Sequence, residues 1–404
     1  MVNENNEQVT ELRAFQAKWL VPVITPPIEN GVIVLNGDKI QEVGNRSLLA
    51  QYDLAPTDLG EVIIFPGLIN CHTHLEQSVP TSLPQDFVQY QRQILQNRFN
   101  DNLEQQANAA RSNLQEAVRF GTVALADFSQ EGASYNALLE SSVFARLFFE
   151  VVGFKSSNAD AIMRHFVEKT RDAVGERRLT KHLAPSSVWG LSTNLLREIS
   201  LNERHIAIHM NCSEHEEEFI SSGRGFIKQL LMAQSDYDYS WQVPACSPVE
   251  YFFNSHFYAK HNILVHMLTT TPDEIDFIRD FGVKVNICLC PRAAERLSAA
   301  RPPVMLFMEK GFNLCLGTEG KSLVSELDLR QEMRRCVDNF GVSPENALKF
   351  ATLNGAYAIG FHKEVGSLEP GKTSRCLVLE CPASTSVDPY EAIVFSPQAP
   401  RWLI

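Results

Sequence analysis

Apolar and polar positions follow two different rhythms along the chain. Near its start, Gly31-Val32-Ile33-Val34-Leu35 and Asp38-Lys39-Ile40-Gln41-Glu42-Val43 flank Asn36-Gly37. That dipeptide is a strong hairpin signal, since both central residues need positive φ, and a small β element is expected there. From Val62 onward, short apolar runs alternate with longer stretches of helical spacing, the signature of repeated βα units. The runs cover 62–70, 121–128, 145–154, 179–186, 205–210, 262–268, 283–289 and 313–318. Eight is the number that closes a barrel. Between the runs, Leu103, Ala107, Ala110, Leu114 and Val118 share one helical face that Gly121 ends, and Pro272 to Phe281 reads as a helix beginning after three threonines.

Near Val365 the alternation stops, and Gly366-Ser367-Leu368-Glu369-Pro370-Gly371-Lys372 leads into the strand-like Cys376-Leu377-Val378-Leu379. Chain ends commonly lie close together, so the two terminal β elements are expected to pair. The predicted fold is α/β: a (β/α)8 TIM barrel over 62–363, with a small β-sandwich built from 1–61 and 364–404.

Composition narrows the partners. With 404 residues and 44% hydrophobic side chains, the chain can bury a large core. Its net charge of -12, from 36 basic and 48 acidic residues, argues against nucleic acid or an anionic membrane and leaves a small molecule as the expected ligand. The opening Met-Val-Asn-Glu-Asn-Asn-Glu has neither a basic patch nor an apolar core, and no stretch approaches the ~20 apolar residues that span a bilayer, so a cytoplasmic location is expected. The nine cysteines are odd in number, scattered and mostly inside apolar runs, which predicts reduced thiols. The pair Cys288 and Cys290 reads as core packing rather than a zinc site.

The chemistry gathers on histidine. His72 and His74 follow the first apolar run, and on a strand residues i and i+2 point to the same side, so both imidazoles can converge on one cation. In a barrel of this kind functional residues collect at the C-terminal ends of the strands. His209 closes the fifth run, His266 lies near the end of the sixth, and Glu319 follows the eighth. An isolated His-x-His is more often coincidence, and His209 or His266 alone reads as a satisfied core imidazole; five metal-competent side chains at one rim change that balance. The other histidines, 165, 182, 205, 215, 256, 261 and 362, fall in helices, strand starts or loops. Imidazole and carboxylate without clustered thiolate suit one zinc ion best, with iron, manganese and nickel left open. A few histidines with an open position are a catalytic style of site, because a coordinated water then titrates near ~7.

Several segments resemble the amidohydrolase superfamily. Phe65-Pro66-Gly67-Leu68-Ile69-Asn70-Cys71-His72-Thr73-His74-Leu75-Glu76 is similar to its first-strand metal motif. Gly121-Thr122-Val123-Ala124-Leu125-Ala126-Asp127 is similar to its second strand, and Cys290-Pro291-Arg292 to its seventh. Ala351-Thr352-Leu353-Asn354-Gly355-Ala356 and the Gly366–Lys372 turn resemble its closing helix and return to the β-sandwich. Ala17-Lys18-Trp19-Leu20-Val21-Pro22-Val23 with Pro26-Pro27-Ile28 most resembles the branch containing aminodeoxyfutalosine deaminases. The resemblance implies one divalent metal and hydrolysis of a non-peptide C–N bond, commonly deamination of a heterocycle. It implies His72, His74 and His209 as metal ligands, His266 steadying the water or oxyanion, and Glu319 at the usual aspartate. It also implies a homodimer, and a further strand beyond Arg401-Trp402-Leu403-Ile404.

There are four departures from that pattern. Glu319 replaces an aspartate, and its extra methylene moves the carboxylate by about 1 to 1.5 Å, a displacement that can cost ~100-fold in rate unless the backbone compensates. Cys212, three residues after His209, stands where the deaminases carry a proton-shuttling glutamate; Glu214 and Glu216, in an expected loop just beyond, are the substitutes at hand. Ser186 replaces a histidine that contacts substrate, and Ala293-Ala294 replace a Ser-Asn pair beside the pocket. Ser186, Cys212 and Glu214 are therefore the expected substrate contacts, with His266 and Glu319 catalytic. The leading expectation is a metal-dependent hydrolase that deaminates a heterocyclic amine by a metal-bound hydroxide. The alternative, motivated by Cys212 and Glu319, is a catalytically impaired relative with a binding or scaffolding role. Hydrolytic displacement of another group, such as chloride, from a heterocycle is a third reading.

Overall fold

The computed structural model describes residues 12–100, 102–171, 178–298, 300–381 and 388–404; the opening Met-Val-Asn-Glu-Asn-Asn-Glu lies outside them. The terminal segments share one sheet. Its strands are β1 (Leu12–Leu20), β2 (Ile28–Asn36), β3 (Lys39–Gly44), β4 (Thr57–Asp58) and β5 (Val62–Pro66). After β5 come β6 (Leu68–Thr73), β7 (Thr122–Ser129), β8 (Phe144–Val151), β9 (Leu179–Pro185), β10 (His205–Met210), β11 (His261–His266), β12 (Val285–Leu289) and β13 (Asn313–Leu316). The chain then returns to the terminal sheet as β14 (Cys376–Glu380) and β15 (Arg401–Trp402), giving seven strands in the order β15-β14-β5-β1-β2-β3 with β4 beside β1. The expected meeting of the two ends is visible in the antiparallel pairing of Cys376–Glu380 with Pro66–Val62.

Two expectations shift here. The apolar run 62–70 is two strands: β5 joins the terminal sheet, and β6 starts the parallel set. The break falls at Gly67, where a Cβ would lie 2.1 Å from a Val123 methyl, so the chain can turn there only without a side chain. In the hairpin, Asn36 pairs with Lys39, so the two-residue turn is Gly37-Asp38 rather than Asn36-Gly37. Gly37 has φ 59° and Asn36 stays in the strand, which matches a turn with glycine at its first central position.

Both faces of the terminal sheet are covered, which explains its unbroken apolar runs. Ile33 and Leu35 pack with Ile64 and Val378, whereas Val32 and Val34 pack against Leu48 and Leu49. On β5 the period of two sends Ile63 and Phe65 the other way, into the large core around the parallel strands. That core is what holds the site-bearing elements in register.

The eight remaining strands form two parallel four-stranded sheets, β6-β7-β8-β9 and β10-β11-β12-β13. Helices such as Leu103–Arg119 and Pro272–Phe281 connect successive strands, each opened by a reciprocal capping box, Asn102 with Gln105 and Thr271 with Glu274. Hydrogen bonds join the two sheets near their C-terminal ends. His209 N–H donates to the Ser186 carbonyl at 3.2 Å, and Thr318 and Glu319 N–H donate to the His72 carbonyl at 2.9 and 3.1 Å. All nine cysteines are free thiols. Among the described residues no helix is long and apolar enough to cross a membrane.

Candidate metal and catalytic site

Each expected donor sits at a strand exit. His72 lies inside the end of β6, and His74 is just past it. His209 is next to last in β10, His266 ends β11, and Glu319 lies just beyond β13. Two of these exits use unusual backbone: His266 has φ 80° and Glu319 φ 62°, left-handed conformations that cost a non-glycine residue on the order of 1–3 kcal/mol. The surroundings enforce them. Glu319 N–H is held by the His72 carbonyl, and Met267 N–H by the Met210 carbonyl at 3.0 Å. Buried Asn70 donates to Thr318 Oγ1 at 2.8 Å and accepts its N–H at 3.2 Å, tying β6 to the Glu319 loop. Gly317 permits the close approach, since a Cβ there would stand 2.6 Å from His72 Cβ and 2.9 Å from its backbone.

The side chains converge. Glu319 Oε1 lies 2.5 Å from His72 Nε2, 3.0 Å from His266 Nε2 and 3.6 Å from His209 Nε2, while Oε2 lies 3.6 Å from His74 Nε2. His72 and His209 bring their Nε2 atoms to 3.1 Å. His209 Nδ1 donates to the Ser186 carbonyl at 2.8 Å, which turns Nε2 toward the cluster as the atom a cation would take. The ligand atoms of His72, His209, His266 and Glu319 all lie within 4.8 Å of one another, and His74, Glu150 and His209 form an overlapping group.

Burial works against charge throughout. It pushes His72 down to about 3 against the pull of Glu319, and it lowers His266. At His209 burial also opposes the cation, but the hydrogen bond and charge of Glu319 prevail and raise the imidazole to about 9. Glu319 is fully buried, yet the surrounding imidazoles, His72 foremost, hold its carboxyl well below the usual range.

The donor set fits one divalent ion. Ligands ~2.1 Å from a tetrahedral centre stand roughly 3.4 Å apart, and four of the five separations above fall between 3.0 and 3.6 Å. The His72–Glu319 contact is tighter, so an ion would draw the carboxylate back by about an ångström. His74 Nε2 and Glu319 Oε2 are buried without a hydrogen-bond partner, and a cation is the species that would satisfy both.

Above the donors is a cavity of about 260 Å³. His74, His209, His266, Ser186 and Cys212, all singled out in the sequence, line it. Glu214 does not. It is exposed on another face, beside Glu217 and Glu250, because the expected loop is the first turn of the helix Glu214–Ser222. That turn swings Glu216 inward instead: its Oε1 accepts Trp189 Nε1–H at 3.2 Å and its Oε2 accepts Cys212 N–H at 3.2 Å. Burial pushes the Glu216 carboxyl up to about 7, and burial with the charge of Glu216 raises the Cys212 thiol.

Sequence reasoning passed over Glu150, Glu76 and Asp127. Glu150 lines the cavity with Oε1 3.6 Å from His209 Nδ1; its signal is that it is the one acidic residue in the apolar run 145–154. Glu76 accepts from the Ser129 hydroxyl and from Gln130 N–H at 3.0 Å, and Asp127 accepts from Leu75 N–H at 2.8 Å. Both carboxyls anchor the segment carrying His72 and His74 to β7, and burial raises them to about 7 and about 8.

Known proteins agree with this architecture. A 5-methylthioadenosine/S-adenosylhomocysteine deaminase of Moorella thermoacetica is 26% identical over 89% of this chain and 84% of its own. The structure of Helicobacter pylori aminofutalosine deaminase with methylthio-coformycin superposes over 95% of both chains at TM-score 0.80 and 19% identity. An adenosine deaminase from Xanthomonas campestris with bound zinc matches over 95% of this chain and 88% of its own, at TM-score 0.77 and 19% identity. The likeness gives a TIM-barrel-like α/β fold. The model of the Amidohydrolase family matches residues 63–399, nearly the whole chain, so this protein belongs to the amidohydrolase family, hydrolases that act on C–N bonds.

Proposed function

We propose that the protein hydrolytically deaminates a small heterocyclic amine, with one divalent ion, zinc by preference, held by His72, His74, His209 and Glu319. The observation that carries this reading is the convergence of His72, His209, His266 and Glu319 beside a cavity that His74, His209 and His266 line, with His74 Nε2 and Glu319 Oε2 left unpartnered. In this reading the two parallel sheets make one (β/α)8 barrel from β6 at Leu68 to residue 363, and the segments up to Pro66 and from 364 make the flanking sandwich. A divalent ion bound there would supply a water acidified to near neutrality. Glu319 takes the proton of the attacking water and later delivers it to the departing amine. His266, 3.0 Å from Glu319 Oε1, steadies the negative charge that develops on the oxygen. Ser186 fixes the tautomer of His209 through its carbonyl.

The cavity wall narrows the substrate. Among the described residues lining it there is no lysine or arginine, whereas Glu150, Glu216 and Asp236 are present. A carboxylate or phosphate on the substrate would be desolvated there without a partner. Phe87, Tyr90, Ile94, Leu95, Trp189 and Leu231 offer apolar and aromatic surface instead. The substrate is therefore an uncharged or cationic amine with a flat or thioether-like apolar part, and the setting is cytoplasmic, in keeping with nine free thiols.

The test is ammonia release from metal-quantified protein across purine, pterin and triazine amines, with and without an anionic tail. The expected result is turnover of uncharged amines, at least ~10-fold above phosphorylated or carboxylated analogues. Bound stoichiometric metal with no ammonia from any of them would contradict the reading.

A further inference from the structure

Glu216 is a carboxyl in an unusual place. It belongs to the first turn of the helix Glu214–Ser222, yet it is 1% exposed and lines the same cavity as His74, His209 and His266. Its two oxygens are not spent on a cation or a helix cap. Each accepts one neutral donor, Trp189 Nε1–H and Cys212 N–H, so the group is held in position while burial favours its protonated form against the two donors, which favour the ionised one. It approaches the cavity beside Cys212, the position at which a thiol, itself raised by burial, stands where a carboxyl is expected.

We infer that Glu216 is the residue that passes a proton to the substrate's ring nitrogen, entering the site from the next helix instead of from the strand end at position 212. The inference rests on the deaminase reading above. As the water oxygen bonds to the amine-bearing carbon, Glu319 takes one water proton and protonated Glu216 gives its own to the adjacent ring nitrogen. The C–N bond to the amine then breaks with its electron pair going to nitrogen. Glu319 returns its proton to that nitrogen, and the hydroxyl proton of the carbon-bound oxygen passes to the Glu216 carboxylate. One water is consumed, ammonia and the oxo product leave, and both carboxyls end as they began. Burial that pushes Glu216 up to about 7 places it where a proton can move either way near neutrality.

The experiment compares wild type with Glu216→Gln, both as metal-loaded full-length protein, and reads kcat, KM, melting temperature and metal content. In parallel, binding is measured for an aminopurine and for its deaza counterpart that lacks the ring nitrogen beside the amine. The expected result is a fall in kcat of at least ~100-fold, KM within about threefold, unchanged metal content and a melting temperature no lower than that of wild type. The aminopurine should bind at least ~10-fold more tightly than the deaza compound in both proteins, because the amide N–H can still donate to the ring nitrogen. Retention of more than about a tenth of kcat in Glu216→Gln overturns the assignment of Glu216 and leaves the deaminase reading standing. A wild type that neither turns over nor binds any aminated heterocycle overturns the deaminase reading, and the assignment with it. Equal binding of the aminopurine and its deaza counterpart to wild type removes the acceptor that Glu216 is said to protonate, and overturns the assignment alone.

Discussion

At the scale of single residues, Glu319 is the pivotal departure from the family pattern. A glutamate is longer than an aspartate, and the left-handed backbone at φ 62° together with the His72 carbonyl contact sets where its carboxyl ends. It meets three imidazoles at 2.5 to 3.6 Å through one oxygen. The site is thus shaped around the longer side chain. Glu319→Asp should lower kcat by ~100-fold instead of restoring a lost activity, because the shorter carboxyl falls short of His266 and of the water; a rise in kcat measured under the same conditions would show that the glutamate is a defect. The rim donors were legible in the sequence, since the period of a strand and the strand-end rule place His72, His74, His209, His266 and Glu319 without knowledge of packing. Glu216 was not singled out over Glu214, because the choice depends on which way the first helical turn faces, and no local pattern encodes that.

At the scale of elements, the site depends on β13 running close beside β6. Gly317 is the contact point, and a methyl there would press on the His72 Cβ and backbone at 2.6 to 2.9 Å. Gly317→Ala should therefore cost about 1–3 kcal/mol of stability and displace Glu319 from the imidazoles. The check is the chemical denaturation midpoint together with metal content, and an unchanged value of both would mean that the two strand ends are looser than described. The alternation of apolar runs gave away the parallel strands, while the split of the run 62–70 did not show, because β5 and β6 are both buried on both faces and read as one apolar stretch. Only the steric need for Gly67 beside Val123 marks the break. The hairpin slipped by one position for a similar reason: Asn36 is as good a turn residue as a strand end, and pairing with Lys39 decided between them.

At the scale of the whole molecule, buried acids set the response to pH. Burial raises Asp127 to about 8 and Glu76 and Glu216 to about 7. An acid with a higher pKa folded than unfolded binds more protons in the native state, so stability is greatest below the unfolded value and is lost as pH rises through the folded one. Each such group contributes a slope of up to about 1.4 kcal/mol per pH unit. The imidazoles of His72, His205 and His266, lowered by burial in the folded chain, oppose this trend only where unfolded histidine still binds a proton, below about pH 6.5. The melting temperature should therefore fall from pH 7 to pH 8, and Asp127→Asn should flatten the fall because its amide oxygen still accepts Leu75 N–H. A melting temperature that climbs over the same interval would refute this. In the proposed function, a cavity lined by Glu150, Glu216 and Asp236, with no lysine or arginine among its described lining residues, favours uncharged or cationic amines.

The central claim, that imidazoles from separate strands and Glu319 hold one ion that serves hydrolysis, is tested most directly by metal analysis of wild type and His209→Asn alongside ammonia release from an aminopurine. The account predicts about one divalent ion per wild-type chain with measurable turnover, and loss of both in the variant. Turnover that persists in wild type stripped of metal by a chelator, or an ion retained in full by the variant, would contradict it.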